Sequence, residues 1–224
     1  MYDINFNWVM IGLDVLMIIY TLWVLSLKNN KRFHRGLGLG LFAWLVALHF
    51  GLTTESLFSN HISGVSFLMV IFGAVGLVGV LLLLVPPVRK IVTTLDQQQL
   101  MLIQGIRVFF GASFITQSSL HAMPLGFGIV DGWTHISAGF LGLVAAFSFA
   151  SNIDAERRAW FANIFGLMDI LIVASSLSLV ILDEITPHGA MMYAVFLPAP
   201  IWLWAHVISI YKLIQKERQE KLLC

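Results

Sequence analysis

The chain has 224 residues, 58% of them apolar and 11% charged, with a mean hydropathy of +0.87. A soluble domain carries about 25% charged residues, so this composition excludes a soluble enzyme, a disordered chain and a nucleic-acid module, and leaves a polytopic membrane protein. The formal net charge of +1 favours no charged partner. At about 20 apolar residues per crossing, the length allows six or seven helices.

Seven apolar segments are long enough to cross: 7–27, 37–54, 63–85, 99–118, 124–150, 160–182 and 192–213. The first follows Met1 to Asn5, which holds no basic residue, so it reads as a mature span without a cleaved signal peptide. Breaks follow at Lys28 to Gly36, Thr53 to His61, Pro86-Pro87, His121 to Pro124, Asn152 to Arg158 and Asp183 to Gly189. No segment alternates apolar and polar residues as a barrel strand would, so helices are expected. The fold class is an all-α membrane protein, a seven-transmembrane-helix bundle forming one domain over residues 1–224. Glycines recur in the third segment (Gly73, Gly76, Gly79) and the fifth (Gly126, Gly128, Gly132, Gly139, Gly142), which suits close helix approach. In the seventh, Leu197-Pro198-Ala199-Pro200 removes two backbone donors, so that span should kink or unwind there.

Twelve of the 13 Lys and Arg residues fall in the first, third and fifth breaks and at the C-terminus: Lys28, Lys31, Arg32, Arg35, Arg89, Lys90, Arg157, Arg158, Lys212, Lys216, Arg218 and Lys221. By the positive-inside rule the N-terminus is outside and the C-terminus cytoplasmic. The one cysteine, Cys224, excludes a disulfide framework and a Cys-based metal site, and it lacks the three following residues of a prenylation box.

The thirteenth basic residue, Arg107, falls inside the fourth span. A charge at that depth costs at least roughly 2.5–3.5 kcal/mol and should face the bundle interior with a partner. Three acids are also intramembrane: Asp14 in span one, Asp131 in span five and Asp169 in span six. His135 and His206 lie in spans five and seven, and His49 in span two. Asp131 and His135 are four residues apart and share a helix face. Gln104 and Asn163 can hydrogen-bond within the bundle. Three carboxyls against one guanidinium leave at least two acids to be balanced by a proton, a hydrogen bond, a cation or a histidinium. The ligand- or proton-binding candidates are therefore Arg107, Asp131, His135, Asp169, His206 and Asp14. His49, His135 and His206 are candidate metal or haem ligands.

From Gln104 to Leu213 the chain resembles a family of small, uncharacterised bacterial multispanning membrane proteins. The resemblance rests on Arg107-Val108-Phe109-Phe110-Gly111, His121-Ala122-Met123-Pro124, Gly126 to Asp131, Asn163-Ile164-Phe165-Gly166-Leu167-Met168-Asp169, and Pro198 through His206. Met123 departs from the family's Leu, and Trp160 stands apart from Asn163. The resemblance implies that Arg107, Asp131, Asp169 and His206 belong to one site in a bacterial cytoplasmic membrane, and it implies no activity. Two other seven-span classes do not fit. A retinal protein needs a lysine deep in its last span, where only Lys212 stands at the inner end. Zinc hydrolases of the ceramidase and adiponectin-receptor type use H-x-x-x-H, whereas Trp202 and Ile210 flank His206 at that spacing.

The expected function is a mid-membrane polar site that binds or transports a small molecule or ion, with proton linkage as an option. The alternatives are a haem- or metal-binding membrane enzyme or electron carrier, and a structural or assembly subunit. The lipid bilayer is the expected partner, nucleic acid is not, and enzyme activity, resident cofactor and oligomeric state stay open.

Overall fold

A computed structural model describes residues 5–27, 31–59 and 61–223. Lys28 and Cys224 lie outside the described residues, as do the side chains of Lys31 and Arg32. The described residues form ten α-helices and no strand: α1 (Phe6–Ser26), α2 (Lys31–Thr53), α3 (Gly64–Leu84), α4 (Pro86–Thr94), α5 (Gln97–Gln104), α6 (Arg107–Ser119), α7 (Leu125–Ser151), α8 (Ala155–Leu179), α9 (Met191–Phe196) and α10 (Pro198–Leu223). Seven stretches are long and apolar enough to cross a membrane, with α5–α6 and α9–α10 each counting as one. Large apolar side chains such as Val130, Phe140 and Leu84 stand exposed around the bundle, as lipid-facing residues do.

The fourth and seventh spans are the interior of the bundle. Two thirds of each (67%) is buried, against 22–44% for the others. α7 packs on α5, α6 and α8, and α10 packs on α5 and α8. Glycine sets the α7 approach. A Cβ at Gly132 or Gly111 would meet the other helix's backbone, and one at Gly139 or Gly142 would meet the backbone of Val108 or Met101. Gly73, Gly76 and Gly126 have open space beside them, so close approach explains only part of the glycine pattern.

Two breaks interrupt the interior spans. Between α5 and α6 the backbone tightens to i→i+3 hydrogen bonds, as in Gly105 N–H to Leu102 O (2.8 Å) and Phe109 N–H to Ile106 O (3.1 Å). Arg107 lies within this turn, as the first residue of α6. Between α9 and α10 the helix breaks at Leu197, where the two prolines predict it. Pro200 cannot donate to the Phe196 carbonyl, and the Trp44 indole N–H of α2 donates to it instead (3.0 Å).

The third break contains α4, nine residues long, beyond the simple Pro86-Pro87 stop read from the sequence. Its C-terminal side is tied to α10 by Lys212 Nζ, which donates to the carbonyls of Thr93 (2.8 Å) and Leu95 (2.5 Å). Lys216 pairs with Glu156 at the start of α8, and Gln99 Nε2 donates to Val24 O near the end of α1 (3.0 Å). These contacts gather the basic segments at one end of the bundle.

Candidate functional site

The site grows from stripes at helical spacing. Gln97, Gln104 and Arg107 lie along α5–α6, Asp131 and His135 on α7, Asn163, Gly166 and Asp169 on α8, and Trp202, His206 and Ser209 on α10. Arg107, Gln104, Asn163 and His206 are fully buried, and Asp131, His135 and Asp169 are at most 5% exposed.

Arg107 is at the centre. One terminal nitrogen pairs with Asp169 Oδ2. The other lies 3.3 Å from His206 Nε2 and 3.5 Å from Gln104 Oε1. Its Cζ stands 5.2 Å from the centre of the Trp202 ring, a cation–π contact. Gly166 makes room for this junction, because a Cβ there would collide with the His206 ring and sit 3.3 Å from Arg107.

On the side toward the basic end the network is closed and directional. Gln97 Nε2 donates to the Ser209 carbonyl (2.8 Å), and Ser209 Oγ donates to Gln97 Oε1 (2.6 Å). Asn163 Nδ2 donates to Ser209 Oγ (2.7 Å), which leaves Asn163 Oδ1 to accept from His206 Nδ1 (2.9 Å). These partners assign the His206 proton to Nδ1, so Nε2 accepts from Arg107. His206 is a neutral link with both ring nitrogens engaged.

On the other side the network is open. His135 Nδ1 lies 2.8 Å from Asp131 Oδ1 and 3.3 Å from Asp169 Oδ2. Neither approach has hydrogen-bond alignment. Both oxygens of Asp131, Oδ1 of Asp169 and Nδ1 of His135 are buried without a hydrogen-bond partner. Trp202 and Phe114 wall the imidazole edge-on at ring distances of 5.8 and 5.4 Å. Charge is equally unsettled. Asp131 and Asp169 face one guanidinium, and His206 is neutral. With His135 neutral the cluster carries one excess negative charge, and with His135 protonated it carries none.

Asp131, His135 and Asp169 each offer a ligand atom within 4.8 Å of the others. One nitrogen and two carboxylate oxygens suit a proton or a small cation. Arg107 relays no proton, since a guanidinium does not deprotonate in proteins.

The structure thus brings together Arg107, Asp131, His135, Asp169 and His206. It sets Asp14 and His49 apart. Asp14 is fully buried with neither oxygen hydrogen-bonded. His49 Nδ1 is 2.7 Å from the Tyr193 hydroxyl, and its ring lies 5.7 Å from that of Trp8. Sequence reasoning missed Gln97, Ser209, Gly166 and Trp202. Register is the signal they share: Trp202 and Ser209 stand one turn either side of His206, and Gly166, which also falls in a stretch that carries the family resemblance, lies midway between Asn163 and Asp169.

No curated protein and no solved structure matches the chain. A family described as a domain of unknown function, DUF8737, matches residues 65–214, which hold every residue of the polar network. The match spans well over half of the sequence, and the chain belongs to the DUF8737 family.

Proposed function

We propose that the chain binds a small cation at Asp131, His135 and Asp169, in exchange for a proton, and carries it across the membrane. The observation that carries the reading is His135 Nδ1 between two carboxylates, one of which has no hydrogen-bond donor on either oxygen. Burying an unpaired carboxylate is costly. A proton on His135 neutralises the group, and so does a monovalent cation with His135 neutral. The two are therefore alternatives at one place. The charged groups facing His135 are Asp131 on its own helix and Asp169 on α8, and Asp169 is in turn paired with Arg107 on α6.

A cavity of about 170 Å³ lies at the end opposite the basic one, stops short of the three groups, and offers the approach to them from that end. Gln117, Phe127, Glu184 and Gly189 line it, and Asp131 lies one turn deeper than Phe127. With the basic end cytoplasmic, this entrance is external, and the acids of that side, Glu55, Asp183 and Glu184, favour cations. A bacterial cytoplasmic membrane is the proposed location.

Uptake of radioactive rubidium or sodium into proteoliposomes, driven by an imposed pH gradient, tests the reading. The wild type should accumulate the ion and Asp131→Asn should not, while both stay folded. Equal uptake by the variant would end this reading. The spacing of the same three groups supports a second one, a metal held for chemistry or electron transfer. Metal analysis and optical spectra of the purified protein separate the two.

A further inference from the structure

A second feature lies away from the polar network. Between α1, α2, α3 and α10, with α4 and α5 closing one end, lies a cavity of about 630 Å³. It runs from Gly36 and Val88 at the basic end to Trp44 and Ala74 at mid-depth, which along α2 is about 12 Å. α2 packs on α1 and α9 and makes no extended contact with α3, so the cavity opens sideways between them, toward the bilayer.

The walls are apolar. The Trp44 indole N–H donates to Phe196 O and that of Trp204 to Val75 O (2.8 Å), so neither offers a hydrogen bond to an occupant. The hydroxyl of Thr21 reaches only Met17 Sδ, at 3.7 Å. A buried water needs two to four polar partners, which this space does not supply, and an empty space of this size is unfavourable. A hydrocarbon chain satisfies both conditions.

The mouth adds charge. Gly36 and Val88 line the cavity, and their chain neighbours Arg35 and Arg89, with Lys90, are exposed at the same end. The nearby acid, Asp96, accepts from Gln99 N–H (2.7 Å) and caps α5. The opening therefore pairs an apolar slot with a cationic rim.

We propose that this cavity holds one acyl chain of an anionic phospholipid, with its phosphate seated on Arg35, Arg89 and Lys90. Basic groups at the edge of an interhelical slot bind such headgroups. The site does not depend on the function proposed for the polar network.

Native mass spectrometry of the full chain, exposed in detergent to equal phosphatidylglycerol and phosphatidylcholine, tests it. The wild type should retain phosphatidylglycerol at least tenfold better. Gly40→Leu should cut retention of both lipids about tenfold, because a Cβ at Gly40 meets nothing within 4 Å and its side chain fills the slot. Gly36, equally open, supplies a second variant, Gly36→Leu, if the first does not fold. The double change Arg89→Ala with Lys90→Ala should bring the two lipids to parity while tail retention persists. Equal retention of the two lipids by the wild type, or unchanged retention by a folded Gly40→Leu or Gly36→Leu chain, would overturn the proposal.

Discussion

Gly166 of α8 lies flat against the imidazole of His206 on α10, with no room between them for a single methyl group. That contact lets Arg107 reach His206 and Asp169 together. Overpacking costs typically about 1–3 kcal/mol, and here the displaced group is a hydrogen-bonded ring. Gly166→Ala should lower the thermal midpoint in mild detergent and abolish ion uptake. Uptake at the wild-type rate would show that the His206–Arg107 contact is dispensable.

Arg107 and Asp169 should behave as a coupled pair. Removing one partner of a buried pair costs about 3–5 kcal/mol, because the other charge is left alone. Arg107→Met and Asp169→Leu should each be severely destabilising, and the double variant should be more stable than either. A double-mutant cycle on unfolding free energies reads the coupling directly. Additive effects would contradict the pairing.

Asn163 and Arg107 together hold the proton of His206 on Nδ1. Asn163→Leu leaves that N–H without an acceptor and Ser209 Oγ without its donor, a loss of about 1–3 kcal/mol. Nitrogen NMR of labelled histidine should show His206 as a single Nδ1–H tautomer in the wild type and, because Arg107 still donates to Nε2, in the variant as well, with the Nδ1 proton exchanging faster there. A wild-type mixture would refute the assignment.

Trp44 replaces a donor that Pro200 lacks. Trp44→Phe keeps the ring and leaves the Phe196 carbonyl bare, so about 1 kcal/mol of stability should be lost. In a Pro200→Ala background, where the helix supplies its own donor, the same change should cost less. Equal costs in both backgrounds would show that the bond contributes nothing.

Asp14 makes the opposite prediction. Its carboxyl is buried without a hydrogen bond, so Asp14→Leu should raise the thermal midpoint, by about 1–3 kcal/mol of stability. A lower midpoint would mean that the group has a bound partner in the membrane.

Much of this was legible in the residues. Apolar runs mark the seven crossings because the bilayer sets one length for all of them. Asp131 and His135 announce their shared face by spacing, and Pro198 and Pro200 announce the break at Leu197. Which acid meets Arg107 was not legible, since that choice depends on helix rotation and relative depth, which side-chain spacing within one helix does not encode. Gly166 and Trp202 were hidden for another reason: a small or aromatic residue in an apolar helix reads as packing. α4 was hidden because nine residues with Arg89 and Lys90 give no crossing signal.

The guanidinium at the junction has an electrical consequence. Asp131, His135 and Asp169 cluster on one side and hydrogen bonds run on from His206 to Gln97 on the other, but the two stretches meet only through a group that neither accepts nor releases a proton. The side chains form a line across much of the bundle that is insulated in its middle. A change of charge at Asp131 can still be felt at His206, through the pull of Asp169 on Arg107. For the cation–proton exchange proposed above, that break would keep the two ends of the network in electrical contact while closing off a proton path between them.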